Sequence, residues 1–149
     1  MKKKDYLKMF QQAELLLDSD YEHYAADEVS LGIAAQLNSS VERRRRNAQM
    51  LMDSLQKSSI ATPFFSSLND ADVPLVVPVA VKKGKRDALR RYLIDNRIYC
   101  PIHWPISKLH DKITSDEREL YDVELSLICD QRYSGADMDY QMSVIKRFE

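Results

Sequence analysis

Hydrophobic positions return along the first part of the chain with the period of a helix. Leu7, Phe10 and Leu15 to Leu17 recur every three or four residues, and Leu37, Val41, Ala48, Leu51, Met52 and Leu55 carry that period through a second stretch. Asp18-Ser-Asp20 and Asp27 stand between them as break or cap residues. The pattern predicts a helix over 5–18 and a long helix over 28–57.

Beyond residue 57 the pattern changes. Ser58 to Asp72 is polar and turn-rich apart from Pro63-Phe-Phe65. Val73 to Val81 is β-branched but contains Pro74 and Pro78, which cannot donate to a ladder, so it is expected as an edge strand or a bulged one. Lys82-Lys-Gly-Lys85 reads as a turn, and Arg86 to Asn96 as a helix with Ala88, Leu89, Tyr92 and Leu93 on one face. Ile98 to His103 reads as a second strand ending at Trp104-Pro105. Ser115-Asp-Glu-Arg-Glu119 is expected to open a short helix. Val123, Leu125, Leu127 and Cys129 then alternate with Glu124, Ser126 and Ile128, the mark of a strand with one buried face. Finally Ser134, with Asp137 three residues on, caps a helix whose apolar stripe is Met138, Met142, Ile145 and Phe148. The expected fold class is α+β. Long N-terminal helices precede a small, mainly antiparallel sheet covered by helices. All 149 residues are expected to form one unit, with 1–57 a helical linker region and 58–149 the α+β core.

Composition narrows the function classes. The chain carries 22 Lys+Arg against 23 Asp+Glu, a net charge of −1, so it lacks the positive field that nucleic acid or an anionic membrane surface requires. Its longest apolar run, Val73 to Val81, is far short of the roughly 20 residues that span a bilayer. No apolar stretch follows Met1-Lys-Lys-Lys-Asp5 as in a secretory signal, and two cysteines make no disulfide framework. A cytoplasmic protein with neither nucleic-acid nor membrane partners is the expectation.

The residues by themselves offer little chemistry. Arg43 to Arg46 step by about 100° around a helix and so cannot form one phosphate-binding stripe; covering apolar surface and pairing with carboxylates is the expected role. Cys100, His103, His110 and Cys129 are four soft ligands that zinc would accept, with Cys100-Pro-Ile-His103 closely spaced but no second close pair, and no metal site is assigned to them. Gly32, Gly84 and Gly135 are isolated, so there is no glycine-rich phosphate loop. No Ser or Cys lies in a nucleophile-elbow context, and the acidic residues offer no catalytic pair.

Two stretches carry a resemblance. Arg86 to Pro105, with Arg90-Arg-Tyr-Leu-Ile-Asp-Asn-Arg-Ile-Tyr-Cys-Pro-Ile-His103 within it, and Leu125-Ser-Leu-Ile-Cys-Asp-Gln-Arg-Tyr-Ser134 with the helix after it, resemble the C-terminal small domain of DegT/StrS-type aminotransferases. These are fold-type-I pyridoxal-phosphate (PLP) enzymes, many of which aminate nucleotide-linked keto-sugars. Ile128 stands where that family usually has proline, and Cys129-Asp-Gln-Arg-Tyr133 differs from the His-Pro of many sugar-modifying members. The helix through Asn47-Ala-Gln-Met-Leu-Met-Asp-Ser-Leu55 is similar to the one joining the family's two domains.

The resemblance spans nearly the whole chain but less than half of a complete family member. It implies PLP as cofactor of a complete enzyme. It also implies a large domain that supplies the Schiff-base lysine and phosphate cup, whose motifs no segment here matches. The lysines of this chain sit in polar, terminal or turn contexts without the apolar setting that depresses an amine pKa. The expectation is a small domain that binds no PLP alone and is inactive alone, truncated or half of a split enzyme, with a large-domain partner chain or a second copy of itself. In the split form, the first helix should expose an apolar strip for docking. The alternative is a non-catalytic interaction or self-association module derived from that domain.

By the same resemblance His103 and Trp104 face the substrate, and Arg132 is placed to bind a carboxylate with its bidentate fork. Tyr99 and Gln131 stand behind them. The plainer readings are a backbone hydrogen bond for His103, core packing for Trp104, and a helix cap or pairing with Asp130 for Arg132.

Overall fold

The computed structural model describes residues 3–19, 28–103, 106 and 112–149. It divides into two compact units, Met1–Leu37 and Asn38–Glu149. In the first, helix α1 covers Lys3–Ser19 and α2 covers Glu28–Ala35. Met9, Phe10, Leu15 and Leu16 on α1, and Leu31 and Ile33 on α2, are all exposed.

The long helix expected over 28–57 is instead two. Helix α3 covers Leu37–Leu55, and between it and α2 the Gln36 N–H turns back onto the Ile33 carbonyl at 3.0 Å. A three-residue bond there replaces the four-residue α-helical one.

The second unit is built on a three-stranded antiparallel sheet. Strands β1 (Ala61–Pro63), β2 (Val76–Val81) and β3 (Glu124–Ile128) lie in the order β1-β2-β3. Helices α4 (Arg86–Asp95), α5 (Ser115–Val123) and α6 (Gly135–Phe148) complete it. The register sets Val77 opposite Leu127 and Val79 opposite Leu125. With Val81, these side chains form the core face of the sheet. Leu51 and Leu55 of α3, Leu89 and Leu93 of α4, and Met142 and Ile145 of α6 bury against them in one apolar cluster. The fold class is therefore α+β with helices on a small antiparallel sheet, as the hydrophobic pattern requires.

Three strand expectations are corrected. β2 is the middle strand, not an edge. The Phe64 N–H donates to the Pro78 carbonyl at 3.1 Å, so the backbone of Pro78 faces β1 just where that strand ends. The missing N–H therefore interrupts no bond to β3. Residues 98–103 form no strand, because Pro101 has no N–H and the His103 N–H goes to the Glu124 carboxylate at 3.3 Å. A single backbone bond, from the Ser126 N–H to the Pro101 carbonyl at 3.1 Å, ties that segment to β3. Finally β1 lies inside the stretch read as turns.

The predicted Ser134 cap of α6 forms, and α5 is capped one residue earlier than expected. The Ser134 hydroxyl and N–H donate to Asp137 at 2.7 and 2.8 Å. Thr114 and Glu117 make the same reciprocal box for α5, so the cap residue is Thr114, one before the expected Ser115.

Candidate functional site

The alternation of β3 places Glu124 and Ser126 on the face opposite Leu125 and Leu127, beside Val76 and Pro78 of β2. Helix α5 stands along that face. Arg86 secures α5 by donating to the Tyr121 carbonyl at 2.6 Å while its guanidinium lies 5.2 Å from the Tyr121 ring centre. An exposed Lys83–Glu119 pair at 2.9 Å adds a second tie. Between sheet and helix lies a cleft of about 810 Å³ lined by these strand residues with His103, Ile106, Ile113, Glu117, Leu120 and Tyr121.

His103 closes one end of a hydrogen-bonded row. The Ser126 hydroxyl, in a residue only 1% exposed, donates to Glu124 Oε1 at 2.7 Å, and His103 Nδ1 lies 2.8 Å from the same Ser126 Oγ. Glu124 Oε2 receives the His103 N–H. On the α5 side, the Thr114 N–H and hydroxyl hold the Glu117 carboxyl below the usual carboxylate range. The described lining carries two carboxylates and no Lys or Arg.

Trp104 and His110 lie outside the described residues. Arg132 does not join the cleft. It follows the far end of β3, where its Nη2 and Nε grip the buried Asp130 carboxylate at 2.6 and 3.0 Å. Arg132 thereby holds the Asp130 carboxyl below its ordinary range. Gln131 Oε1 accepts from Arg44 at 2.6 Å, and Tyr99 is exposed on a different surface with Tyr133 and Tyr140.

Arg43, Arg44 and Arg45 of the arginine run donate to backbone carbonyls and an amide oxygen rather than to the expected carboxylates. Arg45 Nη1 donates to the carbonyls of Asn69, Asp70 and Asp72 at 2.7, 3.0 and 2.6 Å. The two cysteines are buried and separately engaged. Cys100 donates to Gln141 Oε1 at 3.7 Å and Cys129 to the Pro74 carbonyl at 3.6 Å. Burial pushes the thiols up to about 11 and about 12 respectively. Among the described residues no three His, Cys, Asp or Glu side chains gather to hold a metal.

Glu124, Ser126 and Tyr121 were not among the sequence candidates. The alternation over 123–129 holds the signal for the first two, since it separates Glu124 and Ser126 from the buried leucines.

This fold is that of a part of the DegT/DnrJ/EryC1/StrS-type PLP-dependent sugar aminotransferases. The structure of Helicobacter pylori PseC, an aminotransferase involved in the biosynthesis of pseudoaminic acid, matches with a TM-score of 0.69 at 13% identity, over 79% of this chain and 35% of that one. A DegT DnrJ EryC1 StrS aminotransferase from Brucella abortus matches with a TM-score of 0.63 at 22% identity, over 80% and 34%. An E. coli GDP-4-keto-6-deoxy-D-mannose-3-dehydratase with bound hydrated PLP matches with 0.65 at 15%, over 78% and 33%. At these identities the likeness is one of fold, and the chain spans about a third of the length of each. No protein-family model matches the sequence, and no curated protein matches it.

PLP does not fit the residues described. Every lysine whose side chain is described is exposed, and the cleft offers carboxylates where a phosphate needs donors or cations.

Proposed function

We propose that residues 38–149 act as the small domain of a PLP-dependent sugar aminotransferase-type assembly. The observation that carries this is the fold match, which takes in most of this chain and only a third of the enzymes it resembles. On this reading the aldimine lysine and the phosphate cup come from residues outside 1–149, in the same polypeptide or another. Residues 1–149 alone then do not transaminate. His103, on the cleft, is the substrate-side candidate, and Trp104 is proposed with it as its sequence neighbour only. Arg132, whose side chain stays 72% exposed while it holds Asp130, is the carboxylate-binding candidate at a separate place. Two buried free thiols suit a reducing compartment, the cytoplasm.

The test is titration of the 149-residue chain with PLP, borohydride reduction and mass mapping. The expected result is scattered, superstoichiometric labelling of surface lysines. One lysine labelled specifically at stoichiometric PLP would overturn the reading.

The exposed Met9, Phe10, Leu15 and Leu16 on α1 favour a second reading, a self-association module. They suit a docking large domain equally. A concentration-dependent homodimer, lost on Leu15→Lys and indifferent to PLP, would select the module; a monomer excludes it.

A further inference from the structure

The cleft beneath α5 has one polar pole in an apolar surround, and its hydrogen bonding decides which way that pole works. Ser126 has a single hydroxyl hydrogen, and it goes to Glu124 Oε1. The 2.8 Å contact between Ser126 Oγ and His103 Nδ1 must then be donated by the imidazole. Nδ1 therefore carries a proton, and in the neutral ring Nε2, on its other edge, is the acceptor. Glu124 accepts at both oxygens, from Ser126 and from the His103 N–H.

Charge sets the sign of what can enter. Glu117 and Glu124 are the acidic side chains of the described lining, and Val76, Pro78, Ile113 and Leu120 give it an apolar floor and wall. A carboxylate or phosphate would meet two like charges and an acceptor nitrogen. A hydrogen-bond donor with positive charge meets the reverse. We propose that this cleft is a binding site for a small primary amine with an apolar or neutral ring body, the ammonium donating to His103 Nε2 and the ring lying against Leu120 and Pro78. Ser126 and Glu124 are positioning residues, since they act by holding a proton on Nδ1 and leaving Nε2 as the edge turned to the ligand. The proposal goes beyond the aminotransferase reading and stands without it; its test uses no PLP, so each can fail alone.

The experiment is NMR on the isotope-labelled 149-residue chain, with cyclohexylamine and cyclohexanecarboxylate as probes of one ring and opposite charge. The amine is expected to shift His103, Leu120 and Ser126 resonances saturably, and to bind at least about ten-fold more tightly than the carboxylate. The imidazole nitrogen spectrum is expected to place the proton on Nδ1. Leu120→Lys, at an exposed wall position, should keep the fold and weaken the amine about ten-fold. Equal binding of the two probes, no saturable shift at the cleft, a proton on Nε2, or unchanged amine affinity in Leu120→Lys would each overturn it.

Discussion

Asn47 of α3 donates its side-chain amide to the backbone carbonyl of Tyr133 at 2.9 Å, across 86 positions of sequence. The same Nδ2 also reaches the carbonyls of Cys129 and Asp130 at 3.3 and 3.2 Å, so one fully buried side chain holds the whole turn after β3. Its Oδ1 has no partner among the described residues. Asn47→Leu removes that orphan acceptor but takes the amide donor from three carbonyls, of which that of Asp130 keeps the Tyr133 N–H. A loss of about 2–4 kcal/mol is expected in urea unfolding. A change below about 0.5 kcal/mol would mean that water, not Asn47, satisfies the turn.

Helix α4 ends in a left-handed residue that is not glycine. Arg97 has φ 63°, and the Ile98 N–H closes onto the Leu93 carbonyl while the Arg97 N–H closes onto Ile94, a Schellman pattern. A Cβ in that conformation costs about 1 kcal/mol. Arg97→Gly should therefore stabilise the chain by roughly 0.5–1 kcal/mol, although glycine widens the unfolded ensemble. Thermal unfolding checks it, and a lower midpoint would show that the arginine side chain matters more than its backbone.

Acid stability should depend on the turn after β3. Arg132 lowers the Asp130 pKa, so the folded state holds the carboxylate more strongly than the unfolded chain does. That stabilisation is present above the unfolded value of about 3.9 and disappears as pH falls through the lower folded value. Arg132→Ala is expected to lower the urea midpoint at neutral pH and to converge with the parent chain in strong acid. A difference that persists when Asp130 is protonated would point to lost packing on Tyr133 instead.

The alkaline limb has the opposite sign. Cys100 and Cys129 titrate at about 11 and about 12 in the fold, against about 8.5 for a free thiol. The folded state then binds more protons than the unfolded one above that lower value. Stability is complete below it and falls as pH rises towards the folded values. At neutral pH neither thiol should react with a disulfide reagent until denaturant is added. Rapid stoichiometric labelling of the native chain would contradict the burial of both.

The sequence by itself determined what local rules can decide. The stripe Met138, Met142 and Ile145 with the Ser134–Asp137 cap determines α6, because helix period and capping are both written within a few residues. The alternation around Leu125 and Leu127 likewise determines β3 and its buried face. Only the tertiary structure decided the pairing. Ala61–Pro63 is too short for periodicity and becomes a strand because the edge of β2 lies beside it. Pro78 sits in a central strand because its missing donor falls where β1 ends. Residues 98–103, with a strand's composition, lose the ladder to Pro101 and to the Glu124 carboxylate. His103 could be singled out by type, but what its backbone N–H and Nδ1 meet depends on Glu124 and Ser126, more than 20 positions away. Hydrogen bonds across such separations have no local signature, and they are what holds the imidazole in the lining of the cleft.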